Sequence, residues 1–186
     1  ADLVWESTTK WLTGNGTTVG GILVDGGSFP WAEHAEKYPE IAQDNPAYHG
    51  INFVEAFGDA AFTFAATTRG LRDLGDQQSP FDAWNTLQQT ESLPLRMDRH
   101  CENAAIVAES LEAHDDVAWV NYPGLESHET HEEASEYLEG GYGGMITFGL
   151  EGGYEAAKGT VENGNLASLL SSGGDAKTLV IHPAST

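Results

Sequence analysis

From residue 117 onward, short strand-type runs alternate with helical ones, and this alternation most narrows what the chain can fold into. Residues 117–122 form an apolar, β-branched and aromatic run ended by Pro123-Gly124. Residues 129–138 read as a polar, acidic helix, 144–150 as a strand and 153–163 as a helix. Residues 166–171 and 178–182 read as two further strands. A strand buries one face and a helix buries one stripe, so elements in this order close into an α/β layer with an exposed sheet face or edge.

The preceding residues fit the same class. Residues 2–5 and 18–24 are strand-type runs that flank a loop carrying Lys10, and Asp25-Gly26-Gly27 marks a turn. Residues 28–50, rich in aromatics, Pro and His, read as an irregular excursion around one short helix at 31–37. A helix over 59–74 stops at Gly75. Ser79 is placed to cap a helix whose first residue is Pro80 and which runs to 90. A third helix follows Ser92 and runs to 114, with Met97, Cys101, Ala104, Ala108 and Leu111 at helical spacing. It is long enough to join two domains. The expected division is 1–95, a linking helix at 96–114, and 115–186.

Charge excludes some functions. The formal net charge is −21, from 29 acidic residues against 8 Lys and Arg, spread along the chain. Such a surface repels nucleic acid and anionic membranes, and neither is expected as a partner. Lysine depletion paired with acid excess in a core-competent chain points to adaptation to high salt, where screening weakens self-repulsion. An ordinary acidic protein is the alternative. No apolar run reaches the length of a membrane span. The single cysteine, Cys101, cannot form an internal disulfide, which fits a reducing cytoplasm. The chain starts with Ala in a strand-type run and ends on His-Pro-Ala-Ser-Thr without a closing element. It is therefore expected to be part of a longer protein.

Against this charge, one of only four lysines sits in Ser7-Thr8-Thr9-Lys10, followed by glycines. A carbonyl-reactive lysine must reach its cofactor and be able to lose a proton, and a phosphate beside it needs hydroxyls and backbone N–H groups. Ser7, Thr9 and Lys10 supply these within four residues. The set suits pyridoxal phosphate, with Lys10 as the Schiff base and Ser7 and Thr9 on the phosphate. The residues alone equally allow a strand-end turn with a surface lysine.

Other candidates are weaker. His128-x-x-His131 with Glu132-Glu133 could set two imidazoles on one helix face, but no further ligand converges and a solvated acidic helix is expected, with no metal. Arg96 and Arg99 could bind an anion, and pairing with Asp98 or Glu102 is the expected outcome. Trp31, Tyr38, Tyr48, Phe53 and Phe57 could cover a subunit interface or form a core. Cys101 is read as a small core residue, His49 and His100 as orienting or capping groups, and His182 as packing.

Asp2-Leu3-x-x-x-Ser7-Thr8-Thr9-Lys10-Trp11-Leu12-x-Gly14 resembles the lysine-attachment signature of the Cys/Met-metabolism pyridoxal-phosphate enzymes. The resemblance extends along the chain through Tyr48-His49-Gly50, Leu71-Arg72-Asp73-Leu74-Gly75, Ser79-Pro80-Phe81, Leu95-Arg96-Met97-x-Arg99-His100, Tyr122-Pro123-Gly124-Leu125, Gly174-Asp175-Ala176-Lys177-Thr178-Leu179 and His182-Pro183-Ala184-Ser185. The excursion with Phe29-Pro30-Trp31 and Asn45-Pro46-Ala47-Tyr48 is similar to an insertion of the branch that sulfhydrylates O-acetylhomoserine. Glu6 and Asn15 depart from the usual residues beside the lysine.

The resemblance implies the fold-type-I pyridoxal-phosphate architecture, with residues 1–95 closing the large domain and 115–186 opening the small one. It implies γ-replacement, in which O-acetyl-L-homoserine and sulfide (or methanethiol) give homocysteine (or methionine) and acetate. Lys10 would hold pyridoxal 5'-phosphate and, once freed, move protons. Ser172 aligns with a residue that contacts the substrate carboxylate in relatives. A homotetramer is implied. The family's phosphate loop, ring-stacking aromatic and ring-nitrogen acid precede its lysine, and its carboxylate-clamping arginine follows the His-Pro-Ala-Ser motif. None is assigned within 1–186, so the isolated chain is expected to bind cofactor poorly and to be nearly inactive. Within the family, a cystathionine γ-synthase or a γ-lyase is the alternative. From another class, a non-catalytic halophilic interaction domain is the alternative.

Overall fold

The computed structural model describes residues 1–185. Two compact units emerge: Ala1–Ser7 with Val19–Asp82, and Thr8–Thr18 with the chain from Ala83 onward.

In the first unit, β1 (Leu3–Ser7) and β2 (Gly21–Asp25) form an antiparallel pair running from Leu3 opposite Asp25 to Ser7 opposite Gly21. The expected Asp-Gly-Gly turn is present: the Gly27 amide donates to Asp25 Oδ1 at 3.0 Å. Short helical pieces follow. 3-10 turns span Trp31–His34, Pro46–Tyr48 and Gly58–Ala60, and among them lie α1 (Pro39–Ala42), α2 (Phe53–Phe57) and α3 (Ala61–Ala66). Asn52 starts α2 by accepting from the Val54 and Glu55 amides, while its side-chain NH2 donates to the Ala42 carbonyl at 3.1 Å. One side chain thereby caps a helix and ties it to the preceding one.

The aromatic residues of 28–57 make a core. Trp31, Phe53, Ala42, Ala61 and Ala65 are buried together, with Tyr38, Tyr48, Phe57 and Phe62 packed against them. Trp31 stacks on Phe62 with the rings 7° apart. Burying each large ring contributes about 1.5–3 kcal/mol, which is why the excursion is ordered despite its lack of long helices. Beyond α3 the helix widens to π-type hydrogen bonding over Thr67–Leu74 and stops at Gly75, as expected. Gly75 adopts φ +78 and its amide closes onto the Gly70 and Leu71 carbonyls.

The helix α4 (Pro80–Thr90) begins where Ser79-Pro80 placed it, with Ser79 Oγ accepting from the Asp82 amide at 3.1 Å.

The second unit contains α5 (Leu93–Glu112), β3 (Val117–Asn121), α6 (His131–Tyr137), β4 (Thr147–Leu150), α7 (Gly153–Asn163), β5 (Ser168–Leu169) and β6 (Leu179–Val180). β3 and β4 pair antiparallel, and β5 and β6 pair parallel. Ala104 and Ala108 of α5 are buried against Tyr122 and Leu125, so the alanines of the expected stripe are the contact points. Met97, Cys101 and Leu111 of that stripe are half-buried. All four strands are shorter than their sequence runs. Residues 144–146 are diverted from pairing because Gly144 packs on Trp11 and His100: a Cβ there would lie 2.9 Å from the indole. No helix is long and apolar enough to cross a membrane among the described residues.

Candidate functional site

Lys10 lies at the break in a tight turn over Thr8–Leu12. Its backbone (φ −97, ψ −118) leaves helical geometry, and the Gly14 amide then closes onto the Lys10 carbonyl at 2.8 Å. Below the turn, the fully buried Thr13 hydroxyl bonds the Thr8 carbonyl and lies 2.9 Å from the Thr18 hydroxyl and 3.4 Å from that of Thr86. The Thr13 hydroxyl thus finds partners where water is excluded and ties the base of the loop together.

The carbonyls at the end of this turn meet Arg96. One terminal guanidinium nitrogen, Nη1, donates to Trp11 O at 2.8 Å. The other, Nη2, donates to Leu12 O and to Gln89 O, each at 3.1 Å. Nε donates to Ser92 Oγ at 3.2 Å. The expectation that Arg96 pairs with an acid is thus corrected. Its acceptors are backbone oxygens and one hydroxyl, and its burial lowers its pKa from the ordinary value. Arg99, one turn on and exposed, does pair as expected, with Glu102 at 3.0 Å.

A second segment, residues 171–176, seals the other side. The Ala176 amide donates to Gly14 O at 3.0 Å, and Gly173 and Gly174 lie against the Trp11 indole. His100 meets Trp11 edge-on, with ring centroids 5.2 Å apart. Burial and the Arg96 charge lower the His100 pKa, opposed by a hydrogen bond to the Gly174 backbone.

Lys10 Nζ points to this same segment, with a long 3.4 Å contact to the Ser171 carbonyl. Among the described residues it forms no ion pair. The amine stays uncommitted to any carboxylate among the described residues, as do those of Lys37 and Lys177. Ser172 is the next residue along the segment that Lys10 contacts, and its carbonyl accepts from the Asp175 amide at 3.2 Å. Ser7 ends β1, exposed, and Thr9 is half-buried beside Lys10. An available amine followed along the chain by glycines, with hydroxyls just before it, is chemically suited to an aldehyde and a phosphate on one cofactor.

The remaining candidates have structural partners. His128 Nε2 lies 2.7 Å from Asn121 Oδ1, and His131 Nδ1 donates to the Pro123 carbonyl at 2.8 Å. No group of three or more His, Cys, Asp or Glu side chains that could hold a metal occurs among the described residues. His182 packs edge-on against Tyr154 and holds Ser185 Oγ at 2.8 Å, and His49 takes the left-handed backbone of a turn (φ 59). The parts that sequence reasoning missed are the Arg96 clamp, the packing of Gly174 on Trp11 and the Thr13 network. The only signal for the first was its place in Leu95-Arg96-Met97-x-Arg99-His100.

The family model for Cys/Met metabolism PLP-dependent enzymes matches residues 1–186. The chain is 48% identical over 186 residues to homocysteine synthase of Schizosaccharomyces pombe, covering all of this chain and 43% of that protein. It is 48% identical over its whole length to O-acetyl-L-homoserine sulfhydrylase 1 of Thermus thermophilus, of which it covers 44%. The solved structure of an O-acetylhomoserine (thiol)-lyase from Campylobacter jejuni, which carries an N'-pyridoxyl-lysine-5'-monophosphate, superposes with a TM-score of 0.90 at 33% identity. That match covers all of this chain and 44% of the other. The chain spans less than half the length of the curated relatives it matches.

Proposed function

The chain belongs to the Cys/Met metabolism PLP-dependent enzymes, with the fold of that family, and on that premise we propose that the whole protein converts O-acetyl-L-homoserine and sulfide to homocysteine and acetate. Methanethiol in place of sulfide would give methionine. The observation that carries this reading is the amine of Lys10, unpaired with any carboxylate among the described residues and held on a loop fixed from two sides.

Lys10 would hold pyridoxal 5'-phosphate through its side-chain amine, and the hydroxyls of Ser7 and Thr9 would donate to its phosphate. The bound cofactor supplies an electron sink for carbanionic character on the substrate. The Lys10 amine would carry protons to and from the substrate Cα and Cβ. One positioned amine can do both, since it sits within reach of adjacent carbons. Ser172 contacts the substrate carboxylate. In the net reaction the Cγ–O bond to acetate breaks and a Cγ–S bond forms, with one proton passing from hydrogen sulfide to the departing carboxylate or solvent.

Residues 1–95 close a large cofactor-binding domain, 96–114 form the linking helix and 115–186 open a smaller domain. The protein works in the cytoplasm as a homotetramer. Its acidic surface is an adaptation to high salt.

The test is made on the full-length protein. Lys10→Ala should abolish the visible absorbance of lysine-bound cofactor and the incorporation of sulfide into O-acetyl-L-homoserine. Retained absorbance would overturn the role of Lys10. Product analysis then separates the branches: release of 2-oxobutyrate marks a γ-lyase, and preference for cysteine as nucleophile marks a γ-synthase.

A further inference from the structure

The guanidinium of Arg96 is the point at which α5 and the lysine loop meet, and its four hydrogen bonds go to four different residues. Two features separate it from an ordinary structural arginine. First, its charge meets the carbonyls of Trp11 and Leu12, the last two residues of the turn that carries Lys10, where the helical hydrogen-bond pattern runs out. A cation at the carbonyl end of a turn is favourable, and a planar fork satisfies two adjacent carbonyls at once where an ammonium cannot. Second, Gly14 makes room for it. A Cβ at Gly14 would lie 2.2 Å from Nη1 and 2.8 Å from the guanidinium carbon.

We propose that Arg96 is a positioning residue for Lys10, fixing the trajectory of its amine by clamping the Trp11 and Leu12 carbonyls. The inference rests on the assignment of Lys10 as the cofactor lysine. Arg96 touches neither cofactor nor substrate in this role. It acts through the two peptide groups that follow Lys10, and the 171–176 segment holds the opposite side of the same loop through the Ala176–Gly14 bond. Without the fork, the Lys10 carbonyl and the peptide planes after it can rotate, and the amine at the end of a four-carbon side chain samples a larger volume.

The test uses Arg96→Lys, which keeps the charge and loses the fork, and Arg96→Gln, which keeps a planar donor and loses the charge. Arg99→Lys, on the exposed Arg99–Glu102 pair, is the control. In cofactor-free protein, Arg96→Lys should speed amide hydrogen exchange at Gly14 by about tenfold or more while the α5 amides near Ala104 and Ala108 keep their protection. In the loaded full-length enzyme, kcat should fall by about tenfold or more with KM little changed. Arg96→Gln should show the same pattern, and Arg99→Lys neither change. Unchanged Gly14 exchange in Arg96→Lys overturns the proposal. So does equal loss of protection in α5 and the loop in both variants, which would make Arg96 a general structural residue. The Lys10 assignment fails separately: if Lys10→Ala keeps its lysine-bound absorbance, that reading is wrong whatever Arg96 does.

Discussion

Gly174 lies against Trp11 so closely that a Cβ at Gly174 would sit 2.7 Å from the Trp11 Cα and 2.7 Å from its indole ring. Trp11 is the residue after Lys10, so this contact sets how near the 171–176 segment can approach the lysine loop. Gly174 also holds φ +85, a conformation that side chains with a Cβ rarely adopt.

Gly174→Ala should therefore cost about 2–4 kcal/mol, combining left-handed strain with overpacking against backbone. Gly75→Ala is the comparison. Gly75 has a similar φ of +78, but a Cβ there meets nothing within 4 Å. Only the conformational part, about 1 kcal/mol, should appear. Urea unfolding of both variants measures the difference, and equal losses would refute the packing argument.

Thr13→Val should lower stability by about 1–3 kcal/mol, because it removes a fully buried hydroxyl that serves the Thr8 carbonyl and the Thr18 hydroxyl. Thr13→Ser retains the hydroxyl and should lose only about 1 kcal/mol, the value of one methyl group. Chemical denaturation midpoints at constant m-value would show the order.

The His100 pKa is lowered by burial and by the Arg96 charge, so the unfolded chain binds its proton more readily than the folded one. Stability from this group is complete above the ordinary histidine value of about 6.5 and is lost as pH falls below it, until the folded pKa is reached. His100→Gln should flatten that part of the stability–pH curve. A difference curve between the two proteins that does not slope in this window would contradict the assignment.

With net charge −21, self-repulsion should oppose the compact state at low ionic strength. Thermal midpoints should rise with salt, and continue to rise beyond about 1 M, where the Debye length is already near 3 Å and simple screening is exhausted. A plateau below that concentration would leave the surface without any special adaptation to salt.

Phe53 is only 2% exposed at the centre of the aromatic cluster. Phe53→Ala should cost about 3–5 kcal/mol, measured by calorimetry. A loss below about 1 kcal/mol would mean that the cluster is not a cooperative core.

Much of the local structure was legible in the residues. Ser79-Pro80 starts α4, Gly75 ends the helix before it, and Ala104 and Ala108 face inward on α5, because caps, left-handed glycines and helical periodicity act over a few residues. The sequence likewise marked Ser7, Thr9 and Lys10 as a chemically coherent set. Two things were decided only by the tertiary structure. Whether the Trp31–Phe57 aromatics form a core or cover an interface could not be read from their spacing, since either outcome buries the same rings; they pack on one another. The partner of Arg96 was equally hidden. Its acceptors at Trp11 and Leu12 lie 85 and 84 positions away and are backbone carbonyls, which every residue carries alike. A side chain that recognises peptide groups leaves no complementary residue type in the sequence, so only the fold could bring that contact into view.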